Sequence, residues 1–223
     1  MQSKPKEGDR TPWRVVALLG ACGFLSTAMV GFLIILAGHN AIFVLLLAST
    51  IFAAFIEIGI WAAIEQKWLA IPLRQLRNRG MGTALLIVLS YPIGAILLGV
   101  LVFGLSSPLS WDFDEHPQSD FTAVELVRDR LAFPVGVLVA GTAILLISSV
   151  AVYLLVGKWP KHVTSTLIIP TFGALTALAG PVVATPLILA GPSILGAILG
   201  YWAWTASERP INISAVERAL SRG

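Results

Sequence analysis

Residues 15–56 read VVALLGACGFLSTAMVGFLIILAGHNAIFVLLLASTIFAAFI, and this stretch of 42 residues contains no Asp, Glu, Lys or Arg. As one continuous helix it would be about 63 Å long, at a rise of 1.5 Å per residue. A single crossing of a bilayer takes only about 20 residues. The stretch therefore predicts two membrane-spanning helices, and the chain is expected to reverse direction at Gly38-His39-Asn40, its one turn-like polar cluster.

The composition of the whole chain agrees with a membrane location. Of its 223 residues, 57% are hydrophobic and only 12% are charged, whereas a soluble domain carries about 25% charged residues. So few charges cannot cover a surface that faces water, and most of the surface is expected to face lipid. The net charge of +3 does not predict nucleic-acid binding, because basic residues have a simpler use in orienting a membrane protein.

Three further stretches, 84–111, 131–157 and 163–207, also lack charged residues. The last is long enough for two crossings and is expected to reverse at Gly180-Pro181. The predicted fold class is all-α: a polytopic integral membrane bundle of about six transmembrane helices within residues 14–205, with both termini cytoplasmic. The predicted helices are about 14–37, 41–64, 83–105, 131–156, 163–179 and 182–204.

The distribution of basic residues predicts the orientation. Cytoplasmic loops of membrane proteins are enriched in Lys and Arg, and six helices place 13 of the 15 basic residues on one side. On that side lie the basic N-terminal tail 1–13, the basic loop 65–82, and the C-terminal tail 206–223, where a short interfacial helix is predicted. That side is therefore expected to be cytoplasmic.

The predicted extracytoplasmic loop 106–130 is acidic. It contains six Asp and Glu residues and only two basic residues, Arg128 and Arg130. Thr122 and Glu125 have the spacing of a capping box, which predicts a short helix running from the end of this loop into helix 4. A solvated acidic loop is the interpretation favoured over a cation site.

Glu57 is the one carboxylate placed well inside a predicted crossing, about 12 Å from the cytoplasmic boundary at 1.5 Å per residue. A carboxyl group at such a depth costs a few kcal/mol unless it is paired with a cation, protonated or hydrated. Counting to the same depth on the other helices predicts a polar layer whose hydroxyl groups would hydrogen-bond the carboxyl group. Its members besides Glu57 are Ser90, Tyr91, Ser148, Ser149 and Thr171.

Two interpretations of Glu57 stay open. In the first, it binds or relays a proton or a cation, because intramembrane carboxylates are scarce and mostly functional. In the second, it is a packing residue near the interface, or it reaches toward water beside Trp61 and Glu65 on the same helix face.

Proline and glycine patterns mark a second unusual region. Proline removes a backbone donor and kinks a helix, and broken helices build the binding sites of many transporters. The helix breaks or hinges predicted on this basis are Pro170, Pro181, Pro186 and Pro192. Gly196 and Gly200 form a GxxxG motif that allows close helix packing. Packing within the chain is favoured over a dimer.

No motif for catalysis, a cofactor or a metal is found. The chain has no Walker A loop, no GxGxxG and no HExxH, and its three histidines lie in or beside predicted loops without a His or Cys partner at ligand spacing. The sequence therefore predicts no cofactor and no metal site, and an intramembrane enzyme is the least favoured class.

Two function classes remain. The first is a small-solute or ion transporter with the polar layer around Glu57 as its site. The alternative is a non-catalytic membrane accessory, interaction or immunity-type protein that acts through its loops and helix faces. The expected partners are membrane lipid and either a second copy of the chain or another membrane protein. The short loops and compact size favour a bacterial inner membrane.

Overall fold

The computed structural model describes residues 12–37, 41–105, 123–179 and 181–207. Within these residues the regular secondary structure is entirely helical, which confirms the all-α prediction for this part of the chain. The predicted turns at residues 38–40 and at Gly180 lie outside the described residues. So do most of the tail 1–13, most of loop 106–130, and most of the tail 206–223 with its predicted interfacial helix. The helices are α1 (Pro12–Ala37), α2 (Ala41–Glu65), α3 (Leu73–Leu105), α4 (Ala123–Val156), α5 (Val163–Thr166), α6 (Ile168–Leu178) and α7 (Pro181–Ser207).

Four of these helices are long and apolar enough to cross a membrane. The candidate spans are Pro12–Phe32, Val44–Glu65, Leu73–Leu105 and Arg130–Val156, and Val163–Leu178 is a shorter apolar stretch. Large apolar side chains on them point outward, as Phe24 on α1 and Ile96 on α3 do. An apolar outer surface of this extent is a surface for lipid, so length, composition and exposure together indicate an integral, multi-pass membrane protein.

Two helices begin earlier than the apolar pattern predicts. The expected start of helix 3 at residue 83 moves back to Leu73, and that of helix 4 moves from residue 131 to Ala123. The carbonyl of Pro72 accepts the backbone N–H groups of Gln75 and Leu76, which starts α3 within the predicted loop 65–82. Apolar patterning marks the part of a helix that suits lipid, whereas the hydrogen-bond ladder continues through polar residues and extends the helix beyond it.

The predicted hinge prolines have different structural roles. The expected helix 163–179 is divided at Leu167 into α5 and α6, and Pro170, which has no N–H group, lies in the first turn of α6. Pro181 is the first residue of α7, a position that proline favours because its missing N–H would be unpaired there. Pro186 and Pro192 lie inside α7 without ending it.

The helices pack into a closed bundle. Successive helices α1 to α4 contact one another, α6 packs on α4, and α7 packs on both α4 and α1. The most extensive pairings are α3 with α4 and α1 with α7. The interior between them is an apolar cluster. Its fully buried members include Leu19, Phe52, Ile56, Ile87, Leu155, Leu199 and Trp202.

Interhelix contacts bring six helix ends together at one end of the bundle. At the start of α1, the guanidinium carbon of Arg14 lies 5.8 Å from the ring centroid of Trp68, which follows α2. The Arg79 guanidinium near the start of α3 donates to the Leu154 carbonyl near the end of α4, at 3.1 Å. His162 before α5 lies 6.4 Å, ring to ring, from Tyr201 near the end of α7.

We call this the basic end. Among the described residues it has seven Lys and Arg and one Glu, Glu65. The basic residues there are Arg14, Lys67, Arg74, Arg77, Arg79, Lys158 and Lys161. Arg128 and Arg130 lie at the start of α4, at the opposite end. The described residues therefore place positive charge mainly at one end, as the sequence predicts, whereas the membrane side that this end faces stays a prediction.

The helix α4 ends just before Gly157, whose backbone is in the left-handed conformation. Its φ is +76°, and its N–H donates to the Tyr153 carbonyl at 2.7 Å, which is the geometry of a glycine C-cap. We expect Gly157→Ala to lower the free energy of unfolding by about 1 kcal/mol, because an L side chain is strained at this φ. Chemical denaturation in detergent measures the effect. Gly99→Ala in α3, where a Cβ meets nothing within 4 Å, is the control. Equal stability of the two variants would contradict the prediction.

Candidate functional site

The carboxyl group of Glu57 lies between α2 and α3. Its Oε1 atom is buried, and among the described residues it has no hydrogen-bond partner. A Cβ built on Gly80 of α3 would lie 3.2 Å from this oxygen. Because Gly80 has no side chain, the carboxyl group has room beside α3. We call this arrangement the Glu57–Gly80 niche.

The structure does not place the predicted hydroxyl partners on Glu57. Three of the hydroxyl groups donate to backbone carbonyls three or four residues earlier in the chain, a common alternative for Ser and Thr in helices. The bonds are Ser90 to the Ile87 carbonyl at 2.7 Å, Ser149 to the Leu146 carbonyl at 2.7 Å, and Thr171 to the Leu167 carbonyl at 3.0 Å. Thr171 is exposed, so it lies outside the bundle interior.

The other two predicted members of the layer are in the interior. Ser148 is fully buried, and its Oγ atom has no hydrogen-bond partner among the described residues. The ring of Tyr91 packs edge-on against Phe52, with 5.5 Å between the centroids. No contact in the described structure joins either residue to the carboxyl group of Glu57.

The separation between Glu57 and Ser90 follows from the true start of α3. The carboxyl group lies beside Gly80, and Ser90 is ten residues further along the same helix, or about 15 Å. The sequence prediction counted depth from residue 83 and so placed Ser90 at the level of Glu57. With α3 beginning at Leu73, Glu57 lies nearer the basic end than Ser90 does.

Gly80 and Thr83, which the sequence prediction missed, lie on the buried face of α3. This face carries Gly80, Thr83, Ile87, Ser90 and Gly94, which repeat at intervals of three and four residues, the period of a helix face. The Thr83 hydroxyl group lies within 3.5 Å of the Ala151 carbonyl on α4. Extending this periodicity back from Ser90 through the assumed loop is the signal that would have found Gly80.

The GxxxG motif of α7 lies against α1. A Cβ on Gly196 would collide with the Leu19 carbonyl, and one on Gly200 would lie 2.9 Å from the Val15 carbonyl. The Ser193 hydroxyl group donates to the Gly20 carbonyl across the same contact, at 2.9 Å. Small residues thus allow the two backbones to approach closely, and the motif packs within the chain.

An open depression lies at the basic end, between α3 and α4. Its volume is about 610 Å³, and it is lined by Asn78, Arg79, Gly82, Tyr153, Leu154 and Gly157. As for metals, the described residues contain no group of three or more His, Cys, Asp or Glu side chains that could hold an ion.

No protein-family model matches this chain, and no curated protein or solved structure is detectably similar to it. The fold defines the class of the protein as a helical multi-pass membrane protein. The Glu57–Gly80 niche and the basic end are the features that bear on its particular function.

Proposed function

We propose that the chain is a transporter for a small solute or an ion, and that Glu57 binds a proton or a cation during transport. The observation that carries this proposal is the Oε1 atom of Glu57, which is buried and has no hydrogen-bond partner among the described residues. It lies within the candidate span Val44–Glu65. An acid retained at such a position is costly, and intramembrane acids mostly belong to ion or proton pathways.

The position of the niche supports entry from the basic end. Gly80 lies seven residues after the start of α3 at Leu73, or about 10 Å, and twenty-five residues before its end at Leu105, or about 38 Å. A proton or cation would therefore travel a short distance from the basic end to Glu57. Release at the other end would require a change in helix packing, which is how transporters alternate access.

The charge distribution supports a cytoplasmic basic end. The rule that cytoplasmic segments are rich in Lys and Arg then places both termini and the Glu57 entrance on the cytoplasmic side. Trp13, Trp61 and Trp159 are about half or more exposed near the same end, where indole rings favour the headgroup region. A bacterial inner membrane is the location that we propose.

Proton uptake into liposomes containing the purified protein tests the role of Glu57. We expect Glu57→Gln to reduce uptake at least about tenfold, because an amide, unlike a carboxyl group, neither gains nor loses a proton near neutral pH. A tenfold change corresponds to about 1.4 kcal/mol. A pH-sensitive dye inside the liposomes measures uptake driven by a potassium diffusion potential. Glu65→Gln, the same change at the exposed end of α2, is the matched control. Unchanged uptake in Glu57→Gln at equal protein content would refute the proposal.

A specific observation favours the alternative function, a non-catalytic accessory, interaction or immunity-type protein. The interior is an apolar cluster contributed by α1, α2, α3, α4 and α7, and Ser90 and Ser149 bond their own helices instead of facing a pathway. Under this alternative, Glu57→Gln leaves function intact, whereas changes in the acidic loop 106–130 abolish it. The two functions are therefore distinguished by the same set of variants.

A further inference from the structure

The depression between α3 and α4 combines a fixed cation with open space. The Arg79 guanidinium donates to the Leu154 carbonyl at 3.1 Å, and this bond uses only one of the five N–H donors of the group. The side chain of Arg79 is otherwise exposed, as is that of Asn78 beside it. The Leu154 carbonyl thus holds a planar donor group in place at the open side of the depression.

Glycines make the space beside Arg79. A Cβ on Gly82, one turn after Asn78, would meet nothing within 4 Å. Gly157 ends α4 on the opposite wall, and a Cβ there would lie 3.7 Å from the Nη1 atom of Arg79. Any larger side chain at Gly82 would occupy the volume that a bound group needs.

An apolar surface continues from the depression toward the middle of the bundle. On α3, Leu85 and Leu89 follow Gly82 at helical spacing, and both are exposed. On α4, Val150 and Leu146 are exposed in the same way behind Leu154. These side chains give both helices an apolar outer surface beyond the polar, cationic opening.

An aromatic pair stands at the α4 side of the opening. The rings of Tyr153 and Trp159 are stacked, with 4.8 Å between their centroids and an angle of 20° between their planes. Tyr and Trp are enriched at the headgroup level of membranes. The aromatic pair therefore indicates an opening near the level of the lipid phosphates.

We propose that this depression binds the headgroup phosphate of an anionic phospholipid, with Arg79 and Asn78 as donors and an acyl chain along Leu85 and Leu89. Charge complementarity favours an anionic lipid, because the described basic end has seven Lys and Arg against one Glu, Glu65. Basic surfaces at this level attract anionic lipids, and the guanidinium fork matches phosphate oxygens. This site is independent of the role proposed for Glu57.

Binding of phosphatidylglycerol to the full-length protein in detergent, measured by native mass spectrometry, tests the site. We expect saturable binding of phosphatidylglycerol and at least about tenfold weaker binding of phosphatidylcholine, whose headgroup has no net charge. Arg79→Gln is expected to weaken phosphatidylglycerol binding about tenfold, the effect of losing one charge-assisted contact. Arg77→Gln removes the same charge from an exposed position outside the lining of the depression, and is expected to change binding less than about twofold.

A second pair of variants keeps the test valid if Arg79→Gln fails to fold. A Cβ at Gly82 or at Gly99 of α3 meets nothing within 4 Å. Gly82→Leu adds a side chain to the lining of the depression, and Gly99→Leu makes the same change outside this lining. We expect Gly82→Leu to weaken lipid binding about tenfold and Gly99→Leu to leave it unchanged.

Three results would overturn the proposal. Equal losses in the Arg79 and Arg77 variants would show diffuse charge attraction instead of a site. Equal binding in the Gly82→Leu and Gly99→Leu variants would show that the depression is not occupied. Displacement of phosphatidylglycerol by excess inorganic phosphate would assign the site to free phosphate instead of a lipid.

Discussion

Gly196→Ala is expected to lower the free energy of unfolding by about 3 kcal/mol, the upper end of the cost of overpacking. The added methyl group would collide with the Leu19 carbonyl, which belongs to the backbone of α1. A flexible side chain could move aside, but a backbone carbonyl can move only with its helix. The substitution therefore forces α1 and α7 apart along their whole contact.

Two other close contacts between α1 and α7 would be lost if these helices moved apart. The next glycine of the motif, Gly200, is also close to α1, because its Cβ would lie 2.9 Å from the Val15 carbonyl. The hydrogen bond from Ser193 to the Gly20 carbonyl crosses the same contact. In lipid, helix association depends on such van der Waals contacts and interhelical hydrogen bonds, since lipid tails are as apolar as the side chains.

Gly191→Ala is the matched control for this prediction. Gly191 is also in α7, but a Cβ there would meet nothing within 4 Å. We expect the free energy of unfolding of Gly191→Ala to be unchanged or higher by about 0.5 kcal/mol, because alanine is the better helix former. Denaturation in detergent, followed by loss of helical circular dichroism, measures both variants. If Gly196→Ala is as stable as Gly191→Ala, the close α1–α7 contact is wrong.

Trp202→Ala is expected to lower the free energy of unfolding by about 3–5 kcal/mol. Trp202 is 0% exposed and is the largest fully buried side chain among the described residues. It lies in the apolar cluster with Val15 of α1 and Leu155 of α4. Removing the indole ring leaves a cavity that the three helices cannot fill without moving, and the lost dispersion contacts have no replacement.

Two variants separate the role of volume from other effects of the Trp202 substitution. Trp202→Phe keeps most of the ring volume, and the lost Nε1 atom has no hydrogen-bond partner among the described residues. We therefore expect a cost of only about 1 kcal/mol. Trp13→Ala removes the same side chain at a position that is 64% exposed and should change stability by less than about 0.5 kcal/mol. A small effect of Trp202→Ala in the same denaturation assay would contradict the assigned burial.

The sequence alone identifies Glu57 of the Glu57–Gly80 niche, but it does not identify the residues around its carboxyl group. The uncharged residues around Glu57 mark it as an acid within a membrane span, and no tertiary information is needed for that inference. Its neighbours depend on where α3 begins and on how α2 and α3 are aligned. A shift of the helix start from residue 83 to Leu73 replaces Ser90 by Gly80 as the residue facing the carboxyl group.

The uncharged stretches of the sequence were enough to predict a lipid environment, a helical fold and the apolar part of each long helix. Lipid offers no hydrogen bonds to the backbone, so long uncharged segments must form helices, whatever their neighbours are. Three pairings could be found only from the packed helices: Gly196 packs on α1, Gly80 faces Glu57, and Arg79 donates to the Leu154 carbonyl. These pairings depend on helix rotation and register, because lipid contacts many apolar helix faces equally well and leaves close packing to select among them.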